Sequence, residues 1–385
     1  MKKNHVRKVI GSYDISLLLL VVLLCAFGII MIYSTSYYNA DRYYSESALY
    51  YSMQIRNVIV GSIFMLAVSF FDYHFYVKKI GRWFRPVYLL FAVCLVLQIV
   101  VEVAGYSANG SSRWINLGPV SFQPSELTKI CFILMTAFIV TMRSDRLDSF
   151  KGFLPLPLIL GPLAGLVLIR DFSTACILIA IFMLGSVLVS GIRKYHFAVG
   201  GALGVVALIV VKSVGYRSGR VEEWLHPELR DPGSQVMQGL YAIASGGFDG
   251  KGLGEGLQKL GKIQEVHTDM IFTVICEELG TFGAIIVILA FCLLLWRIYD
   301  IAVNARDMFG GVICAGVFAH IATQVLINLL VVTDSVPATG IPLPFISYGG
   351  TSLVVLLVEM GLVLNVSKQI PDHGSYREEK GALDA

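Results

Sequence analysis

Residues 265–296 read EVHTDMIFTVICEELGTFGAIIVILAFCLLLW, a long apolar run that opens with Glu265, His267 and Asp269 and carries Glu277 and Glu278 two turns further in. A hydrocarbon core of about 30 Å takes roughly 20 apolar residues. Counting back from Trp296, a residue type that favours membrane interfaces, puts one edge of the membrane near Glu277. Asp269 lies eight residues further out, about 12 Å along an unbroken helix, at the depth of lipid headgroups. On that helix Asp269, Thr273, Cys276 and Gly280 share one small or polar stripe, as a face lining a groove would.

Around this run the chain is greasy throughout. Of its 385 residues 56% are hydrophobic and 15% charged, with a mean hydropathy of +0.72, which leaves too little polar surface for a soluble globule. Apolar runs near 15–33, 57–75, 86–103, 127–142, 153–169, 172–192, 196–214, 270–299, 309–332 and 348–367 give an all-α polytopic membrane protein of about ten spans. If the N-terminus is cytoplasmic, 18 of the 30 Lys and Arg fall on the cytoplasmic side, 5 in short loops opposite, and 7 in one long loop, 212–269. The excess of basic residues in cytoplasmic loops therefore places both termini inside and the long loop outside. Residues 1–370 read as a single membrane domain and 371–385 as a short charged cytoplasmic tail. The first run is longer than a signal peptide's apolar region and lacks a small-residue cleavage site, so it reads as a retained helix. All seven cysteines fall within predicted spans without a CxxC pair, which points to neither a disulfide frame nor a zinc site. No nucleic-acid footprint is present.

Three loop segments stand out. The long loop begins with mixed charge, RSGRVEEWLHPELRDPGSQ, which reads as a solvated charge-paired surface including Arg217, Arg220 and Arg230. It continues with seven glycines between 246 and 261 beside Lys251, Lys259 and Lys262. Glycine permits close backbone approach, and lysines at such a turn suit phosphate oxygens. It is no nucleotide P-loop, because Ser245 and Gly252 stand where that motif needs Gly and Ser or Thr. The other two segments are NGSSRWINLGPVSFQPSELTK (109–129) and PATGIPLPFISYGG (337–350). Irregular backbone beside a span is tolerated where it lines a cavity or is buried in protein, so all three could converge on one cavity.

Each charged candidate has two readings. Asp269 is either functional, as ionisable groups at membrane helices are by default, or a complement to the positive end of a helix dipole. His267 is a proton-handling group or a plain interfacial loop residue. Glu277 and Glu278 read as structural partners of a neighbouring helix or loop. Trp114 suits an interface anchor, and Arg113 a phosphate contact or a solvated charge. Glu126 and Lys129 are spaced to pair along a helix. Asp171, beside Arg170, reads as a salt-bridged helix cap, and Gln235 and Gln238 either bond sugar hydroxyls or are plain loop residues.

Four collinear blocks, NGSSRWINLGPVSFQPSELTK, QVMQGLYAIASGGFDGKGLGEGLQK, EVHTDMIFTVICEELG and TGIPLPFISYGGTSL, resemble the SEDS family (shape, elongation, division and sporulation), the group of FtsW, RodA and SpoVE. The resemblance covers about residues 10–368. Departures are local: Gln264 replaces the family's Pro before the Glu of the HTD block, and IRDFST keeps Asp171 and Thr174 but carries Arg170 and Ser173 in place of Pro and Gly. The wording LGPVSFQPSEL is closer to the division and sporulation branch.

The resemblance implies a peptidoglycan glycosyltransferase that polymerises lipid II on the outer face of the bacterial cytoplasmic membrane during division, elongation or sporulation. It would elongate an undecaprenyl-pyrophosphate-linked glycan beside a class B penicillin-binding protein and other divisome or elongasome proteins. It carries the family's essential acid onto Asp269, the Arg-Trp pair onto Arg113 and Trp114, the FQPSE residues onto Gln123, Pro124, Ser125 and Glu126, and the loop glutamines onto Gln235 and Gln238. Lys129, Lys251, Lys259, His267 and Ser347 complete the candidate substrate contacts. A divalent cation, magnesium or manganese, is expected to assist, with ligands unassigned and no organic cofactor. A lipid II flippase and a non-catalytic scaffold that activates the penicillin-binding protein are the rival readings. Acids gathered at the mouth instead of the midplane, without a clear internal repeat, count against the first; the presence of the acid counts against the second.

Overall fold

The computed structural model describes residues 13–44, 49–81, 84–108, 111–116, 121–213, 215–260, 263 and 266–370. Gln264, Glu265, Lys262, the basic N-terminal residues and the 371–385 tail lie outside them. In chain order the elements are α1 (Ile15–Tyr44), α2 (Leu49–Phe70), α3 (Pro86–Ala104), β1 (Tyr106–Ala108), β2 (Ser111–Asn116), β3 (Ser121–Phe122), α4 (Pro124–Met142), α5 (Phe150–Phe153), α6 (Pro155–Arg170), α7 (Phe172–Ser190), α8 (Lys194–Ser213), α9 (Gly215–Leu225), α10 (Gln235–Gly246), α11 (Ile271–Val303), α12 (Met308–Val332) and α13 (Gly350–Ser367).

Eight of these helices, α1 to α4, α7 and α11 to α13, are long and apolar enough to cross a membrane. The remaining two apolar runs of the sequence are covered by α6, only 16 residues long with Pro162 inside it, and by α8. The fourth run is longer than its apolar core implied. Pro124 takes the first helical position, where its missing N–H costs nothing, and the helix starts three residues earlier.

Burial separates interior helices from peripheral ones. The spanning window of α4 is 83% buried, those of α13 and α12 78% and 61%, and those of α2 and α3 only 22% each. The first group forms the centre, and the outer helices present Ile63, Phe64, Leu89 and Val96 outward, as a hydrocarbon solvent allows. Asp14 ties the ends of two helices together, accepting from Leu17 N at 2.8 Å at the start of α1 and pairing with Arg297 near the end of α11.

Three expectations change. The chain is not purely helical: β1, β2 and β3 form a small antiparallel sheet, with Tyr106 opposite Trp114 and Ile115 opposite Phe122. β1 and β3, of 3 and 2 residues, are too short to show the alternation that marks a sheet in sequence, and β2, SSRWIN, does not alternate apolar with polar residues. The long loop, read from its composition alone, contains α9 and α10. Its charges are not simply solvated, since Arg230 is buried against Asp334 at 2.5 Å, Trp224 donates to Asp334 O at 2.9 Å and Arg220 to Ala338 O at 2.9 Å.

Finally, the helix that opens the sequence reading is broken. α11 begins only at Ile271, and Gly280 inside it takes φ 67°, ψ −170°, a region open essentially to glycine alone. The break frees carbonyls that the glycine-rich segment satisfies: Lys251 N donates to Glu277 O at 3.0 Å and Gly252 N to Glu278 O at 2.9 Å, while Thr281 N reaches Gly247 O at 2.9 Å. The stripe of Thr273, Cys276 and Gly280 therefore lines no groove. It is the seat of α10, whose Gly239 packs on Thr273 and whose Gly246 lies against Cys276 O.

A Cβ on Gly280 would lie 2.2 Å from Phe248 O. Gly280→Ala is expected to lower stability by about 1–3 kcal/mol for the backbone conformation alone, read as a fall in the thermal midpoint of the detergent-solubilised protein. Gly201→Ala, where nothing stands within 4 Å, should leave the midpoint unchanged or raise it.

Candidate active site

Asp269 lies in the turn 266–270 that leads into α11. Val266, Met270 and Ile271 are buried and fix this turn to the core, which leaves Thr268 and Asp269 half-buried. Gln235 Nε2, from the first residue of α10, donates to Asp269 Oδ1 at 3.4 Å, and Thr268 Oγ1 donates to the same oxygen at 3.3 Å. On the other side, a Cβ built on Gly340 would lie 3.7 Å from Asp269 Oδ2. The 337–350 segment thus passes directly beside the carboxylate.

The backbone of this turn is held from α12. Asn328 Nδ2 donates to Asp269 O and to Ile341 O, both at 2.8 Å, joining the Asp269 turn to the 337–350 segment through one nitrogen. One turn earlier on α12, Gln324 Nε2 donates to Pro342 O at 2.9 Å, while its Oε1 accepts from Lys129 Nζ at 3.4 Å and meets His320 Nε2 at 2.8 Å. Another turn back, His320 Nδ1 lies 2.7 Å from Glu359 Oε2 of α13. His320, Gln324 and Asn328 recur every four residues and so share one face of α12. All three are buried, and a polar face inside a membrane bundle needs partners for its groups; each side chain here has at least one, although Asn328 Oδ1 has none among the described residues.

This face also reaches the FQPSE block. Lys129 Nζ pairs with Glu126 at 2.9 Å, both buried, Lys129 at only 2% exposure. The pair predicted from spacing is thus an interior ion pair, and removing either partner would strand the other charge. Gln123 precedes α4 and donates to Ser125 Oγ at 3.1 Å. Arg113 and Trp114 stand on β2, both partly buried. Arg113 Nη1 lies 3.4 Å from Asp171 Oδ2, and Asp171 Oδ1 accepts from Thr174 N at 3.1 Å to cap α7. Arg170 turns away from Asp171 and pairs with Glu102 at 2.7 Å.

Several candidates are engaged in holding the site's walls. Lys251 pairs with Glu277 at 2.7 Å and Lys259 with Glu278 at 2.5 Å. The two buried carboxylates also accept from the backbone, Glu277 from Leu257 N at 3.0 Å and Glu278 from Gly254 N at 3.0 Å, and Glu278 holds Ser34 of α1 at 2.8 Å. These lysines serve as counter-ions that clamp the glycine-rich segment to the broken helix. His267 is packed between Tyr50, with ring centres 4.3 Å apart, and Tyr348 at 5.6 Å. Burial pushes the Tyr348 phenol up against the opposing pull of Arg56. Ser347 Oγ closes its own turn by accepting from Leu343 N at 2.8 Å. Gln238 Nε2 bonds Pro232 O at 2.8 Å, so of the two loop glutamines only Gln235 is seen on Asp269.

Sequence reasoning missed His320, Gln324, Asn328 and Glu359. The signal was present as a four-residue polar repeat in one apolar run and a lone carboxylate in the next. Among the described residues no three His, Cys, Asp or Glu side chains gather into a metal site. Magnesium keeps several waters and takes one or two carboxylates beside substrate phosphates, a demand that the Asp269 carboxylate meets in part.

Comparison with known proteins places this geometry. The model of the FtsW, RodA and SpoVE cell cycle proteins matches residues 15–371. The probable peptidoglycan glycosyltransferase FtsW of Trichlorobacter lovleyi is 37% identical, covering 93% of this chain and 94% of the relative. Stage V sporulation protein E of Bacillus subtilis is 35% identical over 93% and 97%. Among solved structures, a chain from work on the structural coordination of polymerization and crosslinking by a peptidoglycan synthase complex superposes with a TM-score of 0.76 at 27% identity, covering 94% of this chain and 99% of that one. The RodA of Thermus thermophilus shares the fold, with a TM-score of 0.67 at 24% identity over 93% and 97%. The chain belongs to the SEDS family of FtsW, RodA and SpoVE, multi-pass proteins of the bacterial cell membrane.

Proposed function

We propose that this protein is a peptidoglycan glycosyltransferase that polymerises lipid II, with Asp269 as its general base. The observation that carries the reading is the placement of Asp269: its carboxylate is half-buried at the meeting of α10, α12 and the 337–350 segment, while its backbone carbonyl is held at 2.8 Å by Asn328. Relatives of similar length at 33–37% identity are named probable peptidoglycan glycosyltransferases.

In this reading the C4 hydroxyl of the acceptor sugar attacks the anomeric carbon of a diphosphate-linked donor. As the new C–O bond forms, Asp269 takes the hydroxyl proton and the bond from the anomeric carbon to the diphosphate oxygen breaks. Attack opposite the leaving group inverts that carbon, converting an α-linked donor into a β-linked strand. The departing undecaprenyl diphosphate carries negative charge. Lys251 and Lys259 pair closely with Glu277 and Glu278, at 2.7 and 2.5 Å, whereas Arg113 is partly exposed and stands a longer 3.4 Å from Asp171, so Arg113 is the assignment we favour for meeting it. Gln235 orients the carboxylate from one side.

The same reading makes residues 1–370 one membrane domain. With α6 and α8 crossing beside the other eight helices, the chain spans ten times, both termini are cytoplasmic and Asp269 opens to the outer face. A class B penicillin-binding protein is its partner, as the likeness to a chain of a peptidoglycan synthase complex supports.

Two measurements check this. In a gel assay of glycan strands from fluorescent lipid II with the co-purified penicillin-binding protein, Asp269→Asn should lower polymerisation by about 10²-fold or more while binding of lipid II persists. Wild-type rates in the folded variant would end the base assignment, and lipid II crossing a vesicle bilayer without any polymer would favour transport. Asn328→Leu should unfasten Asp269 from Ile341 and cut the rate by about 10- to 100-fold with little change in KM. An unchanged rate would remove Asn328 from any positioning role.

A further inference from the structure

The end of α4 opposite Asp269 borders a cavity of about 560 Å³ between α3, α4 and α6. Three arginines line it. Arg85, preceding α3, donates from Nη1 to Val77 O and sits with Cζ 5.0 Å from the Phe138 ring centre. Arg143 ends α4, and Arg146 closes the turn that follows it. One carboxylate, Asp145, lines it as well, so the lining carries an excess of two positive charges, three arginines less one aspartate.

Among the described residues, the arginines paired with carboxylates are Arg113, Arg170, Arg193, Arg230 and Arg297; Arg85, Arg143 and Arg146 are not. Placing Arg143 at the C-terminal end of α4 is favourable with the helix dipole, but that leaves most of its fork of donors unused. The remaining lining is apolar and open to the bundle's surface: Tyr88 is 42% exposed and Met142 60%, with Phe138 forming the floor and Ile159 the α6 side. A cavity with a cationic rim and an apolar wall that opens sideways fits a ligand with an anionic head and hydrocarbon tails. Arginine forks suit phosphate oxygens, and basic pockets between membrane helices bind anionic headgroups.

We propose that this cavity is a binding site for an anionic membrane phospholipid. Its phosphate lies among Arg85, Arg143 and Arg146, and its glycerol and first acyl methylenes lie over Phe138, Tyr88, Met142 and Ile159. The apolar wall favours a lipid over a free anion, and the concavity between three helices favours it over an acidic protein surface. The site is separated from Asp269 by the length of α4, 19 residues or about 28 Å, and does not depend on the reaction assigned there.

The test uses the full-length protein in neutral detergent, comparing thermal midpoints with phosphatidylglycerol, phosphatidylcholine or inorganic phosphate added, and counting retained lipids by native mass spectrometry. Wild type should be raised by phosphatidylglycerol well above phosphatidylcholine, retain it in the gas phase and ignore phosphate. The double variant Arg143→Gln/Arg146→Gln should lose most of that preference while keeping the wild-type midpoint in phosphatidylcholine. Ile159→Trp, which fills the cavity and leaves its charges in place, should lose it too and keeps the test open if the double variant does not fold. Equal response to both lipids in wild type, an equal shift with phosphate alone, or a phosphatidylglycerol preference that survives both substitutions would each overturn the assignment.

Discussion

Non-helical backbone at membrane depth must find hydrogen-bond donors inside the protein, and the arrangement of this bundle follows from how two such stretches are satisfied. At one, a single amide nitrogen on α12, Asn328 Nδ2, serves the carbonyls of Asp269 and Ile341 together. At the other, the break in α11 at Gly280 hands the carbonyls of Glu277 and Glu278 to the backbone of the glycine-rich segment. The first fixes where the carboxylate stands. The second fixes the wall behind it, because α10 can lie close along the start of α11 only where small residues let it.

Charge is distributed in keeping with that division. Glu277 and Glu278 are fully buried, and each collects a lysine and backbone donors from the glycine-rich segment. Uncompensated, they would carry a large desolvation penalty; compensated, they anchor that segment and, through Ser34, α1. Glu126 and Lys129 form a second interior pair, continued through Gln324 and His320 to Glu359. Asp269 stands elsewhere in the bundle: its carboxylate is half-buried and accepts from a glutamine amide and a threonine hydroxyl.

Much of this was legible in the residues. Apolar runs located the helices, including the full α4 once Pro124 is taken as its first residue, and the spacing of Glu126 and Lys129 announced their pair. Asp171 as a cap was readable too, though its partner across space is Arg113 and not the neighbouring Arg170. What escaped notice has physical reasons. The strand carrying Arg113 and Trp114, SSRWIN, shows no alternation of apolar and polar residues. A glycine such as Gly280 inside an apolar run looks like a tolerated helical residue until its φ is known. Lysines beside glycines resemble a phosphate cradle, and only tertiary structure reveals that Lys251 and Lys259 belong to Glu277 and Glu278. Asn328, neutral and embedded in an apolar run, drew less attention than the charged residues, although its spacing from Gln324 and His320 was there to be read.

The base role of Asp269 is tested most directly by the dependence of the initial polymerisation rate on pH, with the thermal midpoint followed in parallel. A general base must be unprotonated to act, so the rate should fall about tenfold per pH unit below a single ionisation and level off above it, across a range in which the fold stays intact. A rate that stays level through acid pH in the folded enzyme would contradict the account, and would move Asp269 from chemistry to architecture.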